Sequence, residues 1–170
     1  YTYFTRNEVF SNAQTGNVVL MSTHFMMGEW YQGLKYLLPF LAFGLGVFVT
    51  ERIQGKYKNA TRLHWRQAIL LIEIVILIAV GFMPHSMDMF ATIIVSFSCA
   101  MQVQAFRKVN GYSYASTMCI GNLRSGTDAL SVFVRTGNKT SLKKAGYYFG
   151  IILFFAIGAG FGGNLSMLFG

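Results

Sequence analysis

The chain has 170 residues, 54% of them hydrophobic and only 12% charged, and its mean hydropathy is +0.45. A soluble domain carries about 25% charged residues, so these numbers exclude an ordinary soluble fold, a disordered chain and a disulfide scaffold. The formal charge of +8 falls in separated basic clusters rather than on one continuous face, which speaks against nucleic-acid binding and for the loops of a multi-pass membrane protein.

In chain order, the first notable segment is Val9 to Met27, polar for a membrane stretch and carrying Gly16-Asn17 near its middle. Leu34 to Thr50 follows, with Pro39, Gly44 and Gly46 inside it, and is the first of four stretches near the ~20 apolar residues of a span. A basic loop, Glu51 to Arg66, holds Arg52, Lys56, Lys58, Arg62 and Arg66. Ala68 to Met83 is the most apolar stretch and is interrupted by Glu73; Met89 to Phe106 ends in Gln102 and Gln104. Arg107 and Lys108 lead to a second Gly-Asn segment, Tyr112 to Val134, with Gly121-Asn122. The basic segment Arg135 to Lys144 precedes the Gly- and Phe-rich stretch Tyr147 to Gly170.

Two blocks recur in the same order. Aligning Gly16-Asn17 with Gly121-Asn122 sets Ser11 on Ser116, and FLAFGLG from Phe40 matches FFAIGAG from Phe154. The offset grows from 105 to 114 residues, which predicts a longer basic loop in the second copy. Placing the basic loops inside by the positive-inside rule gives both flanks of Tyr112 to Val134 to the cytoplasmic side and both flanks of Val9 to Met27 to the outside. The expected fold is therefore an all-α, polytopic helical bundle forming a single transmembrane domain over 1–170. It contains two inverted repeats, about 1–83 and about 89–170, each carrying a broken or re-entrant Gly-Asn segment. The loops 51–66 and 135–144 are expected in the cytoplasm. Since the chain starts at Tyr1 and ends within apolar sequence, both ends of a longer protein are expected to be missing.

Ala13-Gln14-Thr15-Gly16-Asn17 followed by Val-Val-Leu resembles the Thr-Gly-Asn motif of the YoaK-type family of bacterial membrane proteins. Met101 to Lys108, then Gly111 and Gly121-Asn122-Leu123, fit that family's second motif, with Ile120 where the family usually has Thr. The resemblance implies a bacterial inner-membrane protein of about six spans in full length and supplies no function.

The candidate site is Thr15, Gly16, Asn17, Gly121, Asn122, Arg124 and Glu73. Helix breaks at the glycines would expose backbone N–H groups beside the Asn amides, a pairing suited to a small solute or an anion. Against this stands simple helix packing by small and polar residues. Glu73 in an apolar span is costly, and reads either as a proton or cation relay or as a neutral acid bonded to a neighbour. Arg124 shares a helix face with Asp128 and reads either as an anion attractor or as that residue's partner. His24 with Met21, Met26 and Met27 is a poor metal set, and Cys99 and Cys119 read as buried thiols. No cofactor motif and no enzyme constellation is visible, so a non-enzyme is expected. The expected function is a small-solute or anion transporter or channel. The alternative is an integral membrane scaffold or assembly subunit whose Gly-Asn motifs pack helices. The expected partners are the lipid bilayer, the solute or ion, and a second copy of the chain as a candidate homodimer.

Overall fold

The computed structural model describes residues 1–6, 8–57 and 64–169, so Lys58 and Arg62 of the first basic cluster lie outside the described residues. The helices are α1 (Thr2–Thr5), α2 (Gln14–Met26), α3 (Trp30–Tyr57), α4 (Trp65–Gly81), α5 (Asp88–Ala105), α6 (Cys119–Thr136) and α7 (Lys139–Phe169). One short antiparallel hairpin, β1 (Lys108–Val109) and β2 (Tyr112–Ser113), precedes α6 and closes on Asn110-Gly111. Both turn residues have positive φ, as the tight hairpin turn of an Asn-Gly pair requires.

The four apolar stretches read from the sequence map onto α3, α4, α5 and α7. Trp30–Tyr57, His85–Ala105 and Lys139–Leu168 are long and apolar enough to cross a membrane. At 17 residues α4 stands at the lower end of the ~17–25 needed, although its sequence is the most apolar of the four. Its outer face leaves Leu71, Ile74, Val75, Leu77 and Ile78 exposed, an apolar stripe that water would penalise and acyl chains would not. The apolar helices are those of a membrane protein.

The chain divides into two compact units, residues 1–105 with the tail from Ser166, and residues 106–165. In the first, α5 is central, packed by α3 on one side and α4 on another. Helices α3 and α5 run in the same direction: Ser96 Oγ donates to Pro39 O at 2.7 Å, Gly46 lies against Phe97 and Ala100, and the Gln104 amide meets the Glu51 carboxylate. A Cβ on Gly46 would stand 2.5 Å from Phe97 O and 2.8 Å from Ala100 Cβ, so the two backbones approach this closely only because position 46 has no side chain. Helix α4 runs the other way, with Arg66 Nε donating to Ala105 O at 3.0 Å near its start and Val80 clustered with Ala91 and Val95 near its end.

Arg6 and residues 8–28 enter and leave this unit at one end, as the two arms of a hairpin. Arg6 donates to Asp88 Oδ1 at 2.7 Å and to Met83 O at 2.7 Å, beside the start of α5. Ser11 then lies against Thr92 and Ser96, half-way along α5. Helix α2 begins there and returns, packed on α3, to the turn before Trp30.

In the second unit Gly126 of α6 lies against Tyr148 and Phe149 of α7, and Tyr148 Oη donates to Ser113 O at 2.9 Å, tying the hairpin to α7. Two expectations are corrected here. The segments 51–66 and 135–144 are not loops throughout: α3 continues through Arg52 and Lys56 to Tyr57 and Arg66 lies in α4, while α6 continues through Arg135 to Thr136 and α7 starts at Lys139. Gly137, at φ 68°, ends α6, and Asn138 starts α7 by accepting the Thr140 N–H at 2.9 Å. The basic residues of 135–144 are thus helical, which straight-chain Lys and Arg favour. Nor does the nine-residue growth in offset lengthen a loop. Helix α6 is five residues longer than α2, and FFAIGAG begins five residues deeper in α7 than FLAFGLG in α3, while the intervening turn is one residue shorter.

Candidate functional site

Asn17 and Asn122 occupy the same place in their helices. Each is the fourth residue of α2 or α6, each is buried (1% and 2% exposed), and each reaches back seven residues to a backbone carbonyl. Asn17 Nδ2 donates to Phe10 O at 2.9 Å and to Gln14 Oε1 at 2.9 Å. Asn122 Nδ2 donates to Ala115 O at 2.7 Å and to Met118 O at 2.9 Å, and its Oδ1 accepts from Ala115 N at 3.3 Å. Both side chains therefore fold the incoming chain against the first turn of the helix. The helices are not broken at glycine as the sequence suggested: the break comes before Gln14 and before Cys119, and Gly16 and Gly121 are each the third helical residue. An Asn side chain four residues inside a helix and turned back on its own entry segment satisfies carbonyls that the non-helical approach would leave without partners.

The two helix starts share a second property. Neither Ala13 before α2 nor Met118 before α6 supplies a side-chain cap. The leading N–H groups of a helix have no intrahelical acceptors, and together they carry the positive end of the helix dipole. Beside them, a Cβ on Gly16 or on Gly121 would meet nothing within 4 Å. These glycines thus open space around the helix starts, whereas Gly46 serves close packing.

In the first unit the α2 start is held by a connected set of polar groups. Gln14 Nε2 donates to Ser11 O at 2.8 Å and to Ser96 Oγ at 3.0 Å, and the single Ser96 hydroxyl proton has two acceptors in reach, Ser11 O at 2.8 Å and Pro39 O at 2.7 Å. Ser11 Oγ lies 3.2 Å from Thr2 Oγ1. A polar lattice thus runs through the middle of apolar helices, joining the α1–α2 segment, α3 and α5.

The sequence-derived residues sort as follows. Thr15 is exposed and Gly16 half-buried at the α2 start, with Asn17 beneath them. Gly121 is exposed at the α6 start, again over a buried Asn. Arg124 and Asp128 are both exposed on α6 and form no ion pair with each other among the described residues. Arg124 is two residues beyond Asn122 and so falls on the other side of the helix. Glu73 is buried, in the α4 stripe of Trp65, Ile69 and Val80 that faces inward. Its Oε2 has no hydrogen-bond partner. It belongs to the contact between α4 and α5, apart from the α2 start. Ser11, Gln14 and Ser96 were missed as site residues. The sequence hint was faint: isolated hydroxyls and one amide in apolar context, brought together from positions 85 apart.

The DUF1275 family profile, described as a protein of unknown function, matches residues 1–170. No curated protein and no solved structure matches the chain. The YoaK-type resemblance of the paired Gly-Asn motifs agrees with this match, and the chain belongs to the DUF1275 family of uncharacterised proteins.

Proposed function

We propose that this protein passes a small solute, an anion by preference, across the bacterial inner membrane, with the starts of α2 and of α6, neither capped by the side chain before it, as a solute-contacting point in each unit. The observation that carries this reading is the position of the α2 start: a helix N-terminus without a side-chain cap from Ala13, beside an open glycine, halfway along α5 and framed by Gln14 and Ser96. Non-helical backbone at that depth is tolerated in a membrane only when it is buried in protein or lines a wet cavity. Half-helices whose positive ends point at a central site are a recurring transporter device. In this reading residues 8–28 are a re-entrant segment, Thr15 and Gly16 contact the solute at the α2 start and Gly121 at the α6 start, and Asn17 and Asn122 position the backbone without touching it. Arg124 on exposed α6 draws anions towards the α6 start.

A second reading has a specific observation in its favour. Because the Asn amides are spent on their own entry segments, the motifs also suit a scaffold subunit that folds helices and transports nothing.

Purified full-length protein in vesicles decides between them. Chloride and nitrate entry is followed with an anion-quenched dye, and glycerol and urea entry by light scattering. Transport predicts flux above protein-free vesicles, lowered at least several-fold by Gly16→Ala and Gly121→Ala, two changes that the open space accepts without disturbing the fold. No flux for any of the four probes sinks the transporter reading and leaves the scaffold.

A further inference from the structure

The contact between α4 and α5 has two fixed points. Arg66 is bonded to Ala105, and Val80 is packed with Ala91. Glu73 and Ser98 are each seven residues from both anchors, and counting along the two antiparallel helices sets them near one level. Seven residues are close to two full turns, so Glu73 lies on the face of α4 that carries Arg66 and Val80, and Ser98 on the face of α5 that carries Ala91 and Ala105. Both residues are more than nine-tenths buried, at 8% and 1% exposed. Glu73 Oε2 and Ser98 Oγ are both buried without any hydrogen-bond partner.

Ser98 differs from the other Ser and Thr buried inside α3 and α5, whose hydroxyls are hydrogen-bonded. Thr50 and Thr92 turn back and donate to the carbonyl four residues earlier, at 2.8 Å each, whereas the Ser98 hydroxyl does not. Two orphaned oxygens at one level of an apolar contact are chemically complementary: a carboxylic acid donates to a hydroxyl, and a hydroxyl donates to a carboxylate. We propose that Glu73 and Ser98 form a reversible proton-binding site inside the membrane, in which Glu73 takes up and releases one proton and Ser98 reverses its hydrogen bond to match.

The surroundings suit a proton rather than a metal ion. No group of three or more His, Cys, Asp and Glu side chains that could hold a metal occurs among the described residues. The ionisable side chains on the helices of this contact can be named among the described residues. On α5 there is Cys99, electrostatically coupled to Glu73 and to the amino group of Tyr1, and Asp88, engaged by Arg6 at the helix start. Helix α3 has no ionisable side chain between Tyr36 and Glu51, and α4 itself has only Arg66 at its start, directed to Ala105. With no cation at its own level, the buried carboxyl is stable in its neutral form and charges only when a path to water opens. This site lies apart from the α2 start and does not rest on the solute-transport reading.

The test is modification by dicyclohexylcarbodiimide of the full-length protein in native membranes, located by peptide mass spectrometry across a pH series. The acid proton passes to one carbodiimide nitrogen, a carboxyl oxygen bonds to the central carbon, and the acyl group migrates to nitrogen as a stable acylurea, with nothing expelled. Only a protonated carboxyl in apolar surroundings reacts in this way. Glu73 should carry the adduct, with yield falling at least fivefold as pH rises through the titration; Ser98→Ala should displace the midpoint. Absence of the adduct at Glu73, or a yield independent of pH, overturns the site. An unchanged midpoint in Ser98→Ala overturns the pairing. Because the adduct is read without flux, a vesicle assay that fails leaves this result standing.

Discussion

At the scale of single residues, the two buried asparagines do the most definable work. Replacing Asn17 by Ala removes the donor to Phe10 O and to Gln14 Oε1, and replacing Asn122 by Ala removes the donor to Ala115 O and Met118 O. Leaving buried acceptors unpaired costs about 1–3 kcal/mol. Each variant should unfold earlier by that amount in thermal denaturation in detergent, and Asn→Asp should do no better, since a carboxylate has no N–H to give. By contrast Gly16→Ala should be neutral or slightly stabilising, because its Cβ meets nothing and Ala has the higher helix propensity. The Gly-Asn pair was legible in the sequence as a special feature, but the division of labour within it was not. Which residue packs and which leaves space depends on the seven-residue return of the chain, and that return is a tertiary fact.

At the scale of elements, the α3–α5 contact and the anchor of the entering segment dominate. Gly46→Val would set its branched side chain into Phe97 O and Ala100, where even a single methyl has no room. Overpacking of this kind costs about 1–3 kcal/mol, and backbone can relieve it less easily than a flexible side chain. Gly46→Val should separate the two helices, lowering the midpoint of denaturation, while Gly44→Val, a position with open space around it, should not. At the open end of the hairpin, Arg6 is the side chain that closes on Asp88, both nearly buried. Removing one partner of a buried ion pair costs about 3–5 kcal/mol, because the other charge is left in an apolar setting. Arg6→Met should therefore destabilise strongly, and adding Asp88→Asn should restore much of the loss. The helices themselves were readable from apolar length, but this pair was not. Its members are 82 residues apart and nothing in either neighbourhood marks them as partners.

At the scale of the whole molecule, the basic clusters assign the ends of the helices. In the proposed topology the positive-inside rule puts Arg66 and the segment from Arg135 to Lys144 inside, and with Arg66 inside the Arg6–Asp88 end of the first unit is expected outside. Single cysteines at Ala13 and Met118, in a background with Cys99 and Cys119 replaced by Ala, test this with a membrane-impermeant thiol reagent. Position 13 should react from outside and position 118 from inside. Reaction of both from one side would remove the inverted arrangement. The prediction uses both helix starts, since each labelled position is the last non-helical residue before α2 or α6.

Composition and apolar length by themselves determined that this is a helical membrane protein, because the solvent around a span dictates which residues it can hold. The repeated blocks also singled out the two Gly-Asn segments, though not the residues at which their helices start. What only the tertiary structure decided is where polar groups meet. The pairing of Asn17 with its own entry chain, of Ser96 with Pro39 O and of Arg6 with Asp88 depends on which helix faces which and at what height. Periodicity within one helix says which face is buried, but the register between two helices is set by side-chain volume at the contact, and here by a single missing side chain at Gly46.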